Sequence, residues 1–233
     1  MNLYSHRSII LTNMNKTIYH GASQIIRSPK FGAGRQYNDF GLGFYCSESF
    51  RSAAEWAVDR ECNGFVSAYS LNYDGLRIIN LCGPQYSPLH WLSLLFSFRE
   101  FDMYSDSAHR AREYISKRFI VDNQGCDCII GWRADNRCFM FAQEFIDGNI
   151  PYQLLKEALV SDESNRQYVL KSNRAFDRIS FTGYKAVLSN DSYPQKRARE
   201  LKSIRSIYGS YGSEGLYISD LIEQEVSPYD TRL

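Results

Sequence analysis

The chain has 233 residues, 44% of them apolar, which suits one domain of ordinary size with a core that needs no metal or disulfide staple. Its 27 basic and 26 acidic side chains leave a net charge of +1, so global charge points to neither nucleic acid nor membrane. Aromatics make up 15%, which fits a β-rich core and equally fits stacking platforms for flat rings.

Residues 1–15 read as a polar leader, followed by a strand at 17–19 that ends at His20-Gly21. A loop bearing Pro29, Gly32, Gly34 and Arg35 leads to Asp39-Phe-Gly-Leu-Gly-Phe-Tyr45, a Gly-rich turn into a strand. Phe50, Ala53, Ala54 and Ala57 recur at spacings of three and four, which predicts a helix over 49–58. Strands follow at 66–71 and 76–81, then an apolar helix over 89–101 and an amphipathic one over 108–119. Residues 128–131 form a short buried strand, and 152–160 a helix with Pro151 at its start. Strands at 167–170 and 179–181 close the expected domain, 16–190. Pro194 precedes a basic helix over 195–207, and a Gly/Ser-rich linker at 209–215 leads into a flexible tail, so that 191–233 stands apart. Strands and helices mix without βαβ regularity, which makes the fold class α+β.

The six cysteines are scattered, and Cys126 and Cys128 are too close for a Cys-x-x-Cys clip. They read as reduced thiols of a cytosolic protein, with no metal site. No signal peptide is visible, and no stretch approaches the ~18 apolar residues of a membrane span. The expected location is the cytoplasm, or a target cell if the chain is a secreted effector.

The chemistry concentrates in residues 18–57. His20 at a strand end, followed by Gly21, lets a ligand approach the backbone closely. Gly41-x-Gly43-Phe44-Tyr45 repeats that arrangement beside an aromatic ring, and Trp56 follows on the next helix. Taken singly, a lone His is more often structural, and two glycines before a Tyr are mostly a turn. Together, His20-Gly21, Gly41-x-Gly43-Phe44-Tyr45 and Trp56 resemble the NAD⁺ pocket of ADP-ribosyltransferases, in the diphtheria-toxin and poly(ADP-ribose) polymerase branch. A bacterial branch is closer still, through Tyr-His-Gly, the loop Arg35, Asp39–Tyr45 and Ala53-Ala-Glu-Trp-Ala. Trp91, Arg99, Asp127-Cys-Ile-Ile-Gly131 and Ala134-Asp135-Asn136 also fit, and the resemblance spans about residues 17–188.

The resemblance implies two short, mainly antiparallel sheets flanking an NAD⁺ cleft. It implies a triad of His20, Tyr45 and Gln167, the last standing where the family places a late-strand Glu. Gln167 also has a plain reading as an exposed polar residue at a strand edge. The resemblance further implies that Gly21 grips the nicotinamide amide and that His20 bonds a ribose hydroxyl. Tyr45 and Trp56 would sandwich the ring, Gly43 would line the pocket, and Arg35 would face the pyrophosphate.

Two departures stand out. Ala53 replaces the Ser that bonds the nicotinamide amide in the polymerases, and Ser52 would point about 100° away on an ideal helix. Gln167 cannot act as a general base, so Asp39, Asp135 and Glu144 are the carboxylates that could stand in. The expected activity is transfer of a single ADP-ribose from NAD⁺ to a protein or nucleic-acid acceptor. Bacterial proteins of this look are often toxins or phage-defence effectors, which implies an antitoxin or immunity protein as partner. The alternative is a degenerate module that binds NAD⁺, ADP-ribose or a partner without turnover.

Overall fold

The computed structural model describes residues 15–59, 62–161, 163–190 and 214–233. Most of the expected 1–15 leader, all of the 195–207 basic helix and most of the 209–215 linker lie outside them. No helix among the described residues is long and apolar enough to cross a membrane.

The fold is α+β. The strands are β1 (Asn15–Ala22), β2 (Phe44–Ser47), β3 (Gly64–Asn72), β4 (Ile78–Asn80), β5 (Cys128–Trp132), β6 (Arg166–Leu170) and β7 (Ile179–Val187). They join in one sheet of order β4-β5-β6-β2-β1-β3-β7, antiparallel except for β4 beside β5. This corrects the expectation of two separate sheets. Two halves exist, but a single register pair, Tyr19↔Ser47, links them at β1 and β2. Each half is paired far more fully: β1 pairs with β3 along its whole length, and β2 pairs with β6 at all four residues. Strands that meet at one point and then diverge leave room between them.

Helix α1 (Phe50–Ala57) packs on the β1–β3 half. Ser49 caps it, its hydroxyl accepting from the Ser52 amide at 3.2 Å. Helices α2 (Pro88–Leu95), α3 (Asp106–Arg118), α4 (Asn136–Ile146) and α5 (Tyr152–Val160) cover one face of the other half. The short α6 (Asn173–Phe176) lies against the opposite face. The period of two along β6 explains how one strand serves both cores: Val169 joins the large core while Tyr168 and Leu170 join the smaller one.

Helix α4 was not expected, although Cys138, Phe141, Ala142 and Phe145 carry the three-and-four spacing that predicts it. The C-terminal tail also differs from expectation. Helix α7 (Ile218–Glu223) buries Ile218 and Leu221 in the large core, and Val226 joins them. Tyr114 and Arg118 of α3 donate to the Val226 carbonyl at 2.7 and 3.1 Å. Three apolar anchors and paired carbonyls hold this segment where a free tail was expected.

Candidate functional site

The divergence of β1 from β2 opens a cleft of about 690 Å³. His20, Arg35, Gly43, Tyr45, Trp56 and Gln167 all line it, together with Asp39 and Arg133. The register accounts for part of this. Tyr45 pairs with Val169, two residues beyond Gln167, so Tyr45 and Gln167 share one face of neighbouring strands.

His20 spans the gap where ladder bonds stop: its Nδ1 donates to the Tyr45 carbonyl at 2.7 Å. A carbonyl only accepts, so Nδ1 carries the proton and Nε2 is left as an acceptor. Burial lowers the imidazole pKa below its usual 6.5, against the opposing pull of that hydrogen bond. The ring therefore stays neutral, braced on Phe44 at a centroid distance of 4.4 Å.

Tyr45 is tied at its phenol. Its hydroxyl donates to the Gly41 carbonyl at 2.6 Å and accepts from the Phe40 amide at 3.0 Å. Gly41 has φ of +71°, so the turn needs a residue without a Cβ. Burial raises the phenol pKa far above its usual value, so the hydroxyl keeps its proton and its donor role. Tyr45→Phe is accordingly expected to cost ~1–3 kcal/mol of stability, because the turn loses both partners. Tyr45→Ala should cost more, through the lost ring contacts, and chemical denaturation of the two variants checks the order. Equal stability of Tyr45→Phe and wild type would remove the hydroxyl from this role.

Trp56, half-buried at the end of α1, carries the Arg133 guanidinium over its ring at 5.2 Å. Arg133 in turn donates to Asp135 at 2.8 Å, and Asp135 caps α4 by accepting from the Cys138 amide at 2.9 Å. The rings of Tyr45 and Trp56 make no contact with each other.

Gln167 is not the exposed strand-edge residue of its plain reading. It sits in the interior strand β6, between Ser47 and Gly131, and is only 2% exposed. Its Nε2 donates to Asp39 Oδ2 at 3.0 Å and more weakly to the Trp132 carbonyl at 3.4 Å. Asp39 is a hub. Its Oδ1 accepts from Arg99 at 2.6 Å and its Oδ2 also accepts from the Ala134 amide at 2.9 Å. Of the carboxylates considered as stand-ins, Asp39 and Asp135 line the cleft with their oxygens engaged. Glu144 does not line it and accepts instead from Asn149 at 2.9 Å.

The glycines also have packing reasons. Gly21 is not among the lining residues, and its bare Cα faces the backbone of α1: a Cβ there would lie 1.8 Å from the Ala53 carbonyl oxygen. Gly43 lines the cleft, yet a Cβ on it would meet Val169 at 2.5 Å. Both serve close packing within the protein. Ser52, as expected from its angle, is turned away and donates to the Ser164 carbonyl at 2.9 Å.

Charge at the cleft is uneven. Arg99 and Arg133 are paired with Asp39 and Asp135, whereas Lys30 and Arg35 on the 23–43 loop have no ion pair among the described residues. Two unpaired cations at a cleft suit an anionic ligand. The sequence reading missed Arg133 and Lys30 and did not connect Asp39 with Arg99. The only local signal was their position beside motif residues. Among the described residues, no group of three His, Cys, Asp or Glu side chains could hold a metal.

No curated protein and no solved structure matches this chain. One family model does, over residues 16–181, which takes in β1, the cleft and the start of β7. The chain belongs to that family, described as Protein of unknown function (DUF3990).

Proposed function

We propose that the chain binds NAD⁺ in this cleft, breaks the bond between nicotinamide and ribose, and transfers ADP-ribose to a macromolecule. The observation that carries this reading is the convergence of His20, Tyr45, Trp56 and Gln167 on one cavity of ordinary cofactor size. Neutral His20 offers Nε2 to a ribose hydroxyl. Tyr45 and Trp56 offer ring faces to nicotinamide, and Lys30 and Arg35 offer charge to the pyrophosphate. On cleavage the bonding pair leaves with nicotinamide, whose ring nitrogen becomes neutral. The ribose carbon, passing through an oxocarbenium-like state, bonds to the acceptor nucleophile, which gives up its proton to solvent. The resemblance to bacterial ADP-ribosyltransferases supports the same reading. It extends it to a toxin or phage-defence effector held in check by an antitoxin or immunity protein.

One observation favours a second reading, a module that holds NAD⁺ or ADP-ribose without turnover. Asp39 and Asp135 are engaged in ion pairs and hydrogen bonds, so among the described residues no carboxylate lining the cleft stands free to act as a base. Incubation with labelled NAD⁺ and total cell lysate separates the two. Transfer predicts label that is lost on protease or nuclease digestion and absent with His20→Ala. Saturable NAD⁺ binding with no label and no free nicotinamide would leave the module, and binding of neither NAD⁺ nor ADP-ribose would end both.

A further inference from the structure

We propose that Asp39 is the positioning residue of the cleft: it locks the Gln167 amide with its nitrogen turned inward and its Oε1 turned toward the ligand. The consequence for chemistry rests on the NAD⁺ reading above; the lock itself does not.

The lock follows from which groups can donate. The Gln167 nitrogen faces the Asp39 carboxylate and the Trp132 carbonyl. Neither can donate, so an amide oxygen placed there would meet only lone pairs. Asp39 cannot adapt, because its other contacts, Arg99 and the Ala134 amide, are both donors and require it as an acceptor. Gln167 has little room to turn, being 2% exposed in a strand paired on both sides. The opposite end of the amide is different. Oε1 makes no hydrogen bond among the described residues and is not sealed from the cleft that Gln167 lines.

A carboxylate against the nitrogen polarises the amide and strengthens its oxygen as an acceptor. The cleft then presents two fixed neutral acceptors, His20 Nε2 and Gln167 Oε1, which match a ligand offering neighbouring hydroxyls. In NAD⁺ that is the ribose diol. Asp39 therefore acts through Gln167, and it also accounts for Gln at this position. A Glu would bring two carboxylates to about 3 Å, where both cannot stay ionised.

Two variants test this with a sign reversal. Gln167→Glu alone is expected to lower NAD⁺ cleavage about tenfold or more near neutral pH, with smaller change in NAD⁺ affinity. Adding Asp39→Asn removes the second negative charge and can turn Nδ2 to the new carboxylate at the expense of the Ala134 amide's acceptor, so recovery of part of that loss is expected. A merely structural Asp39 would make the second change add to the damage.

Stability gives a readout that needs no NAD⁺. In Gln167→Glu one carboxyl holds its proton to higher pH in the fold than in the unfolded chain. The variant's deficit in Tm against wild type therefore opens as pH rises above about 4.3 and closes as pH falls back. The double variant should lose that pH dependence. Arg99, Arg133, Asp135, His20 and Tyr45 also face this region and are unchanged throughout, so wild type gives their background. A pH-independent deficit in Gln167→Glu overturns the lock. Additive loss of cleavage overturns the positioning role. Coupled stability in a protein that neither binds nor cleaves NAD⁺ upholds the lock and overturns the NAD⁺ reading instead.

Discussion

Replacing Gly21 with alanine is expected to cost about 4 kcal/mol or more of stability, at the upper end of single-substitution effects. The new Cβ would lie 1.8 Å from the Ala53 carbonyl oxygen and 2.8 Å from the Ala57 amide nitrogen. Both are backbone atoms of α1, so no flexible side chain can swing aside, and the helix as a whole must lift from β1. Gly64 faces the same helix from β3, with the Ala57 carbonyl oxygen 1.9 Å from its built Cβ, and Gly64→Ala should behave alike. At about 2–4 °C per kcal/mol for a chain of this size, the fall in Tm is roughly 10 °C or more by circular dichroism. Because α1 carries Trp56, lifting it also withdraws one wall of the cleft, so ligand binding should fail together with packing. Variants that melt within about 2 °C of wild type would show that α1 does not rest on β1 and β3.

His20→Ala is expected to reduce NAD⁺ cleavage by about 100-fold or more, comparable to removing one preorganised hydrogen-bonding group from a water-poor site. Two contributions act together. The variant loses the Nε2 acceptor, and it loses the Nδ1 bond that ties β1 to the Tyr45 carbonyl across the opening. The pH dependence of wild type separates His20 chemistry from simple collapse. Burial favours the neutral ring, so protonation occurs only below the usual 6.5. Cleavage should stay level as pH falls from neutral to 6.5, then decline as the lowered pKa is crossed and Nε2 becomes a donor. The same protonation works against the fold, so the stability held above 6.5 is lost over that lower range. Cleavage kinetics and Tm of wild type and variant across this range check the two statements. A wild-type profile that declines already above 6.5 would show that the neutral ring is not the working form.

Much of the secondary structure was legible because its causes are local. Helix α1 is visible from the apolar spacing of Phe50, Ala53, Ala54 and Ala57. Helix α4 carries an equally clear spacing, and its capping Asp135 falls inside the Ala134-Asp135-Asn136 piece of the resemblance. The two halves of the sheet were expected as separate sheets; their single joint at Tyr19↔Ser47 has no sequence signature, since one register pair is a long-range event.

His20, Tyr45 and Trp56 are legible as site candidates through the family resemblance, which their order and spacing carry because they lie within one strand–turn–strand–helix segment of the chain. Gln167 was chosen by its place at the start of a late strand, and the fold brings it to the same cleft. Local sequence could not tell what surrounds these residues. Asp39 finds Arg99, Ala134 and Gln167 at separations of 60, 95 and 128 residues, and no periodicity or turn rule reaches that far. Gly21 reads as an opening for a ligand, and in the fold its bare Cα also seats a helix, because absence of a Cβ says that something approaches closely without saying what. Residue type and spacing thus determined which groups this protein has and which elements carry them. Only the tertiary structure decided their partners, because hydrogen bonds and close packing depend on distances in space that the chain reaches only when it is folded.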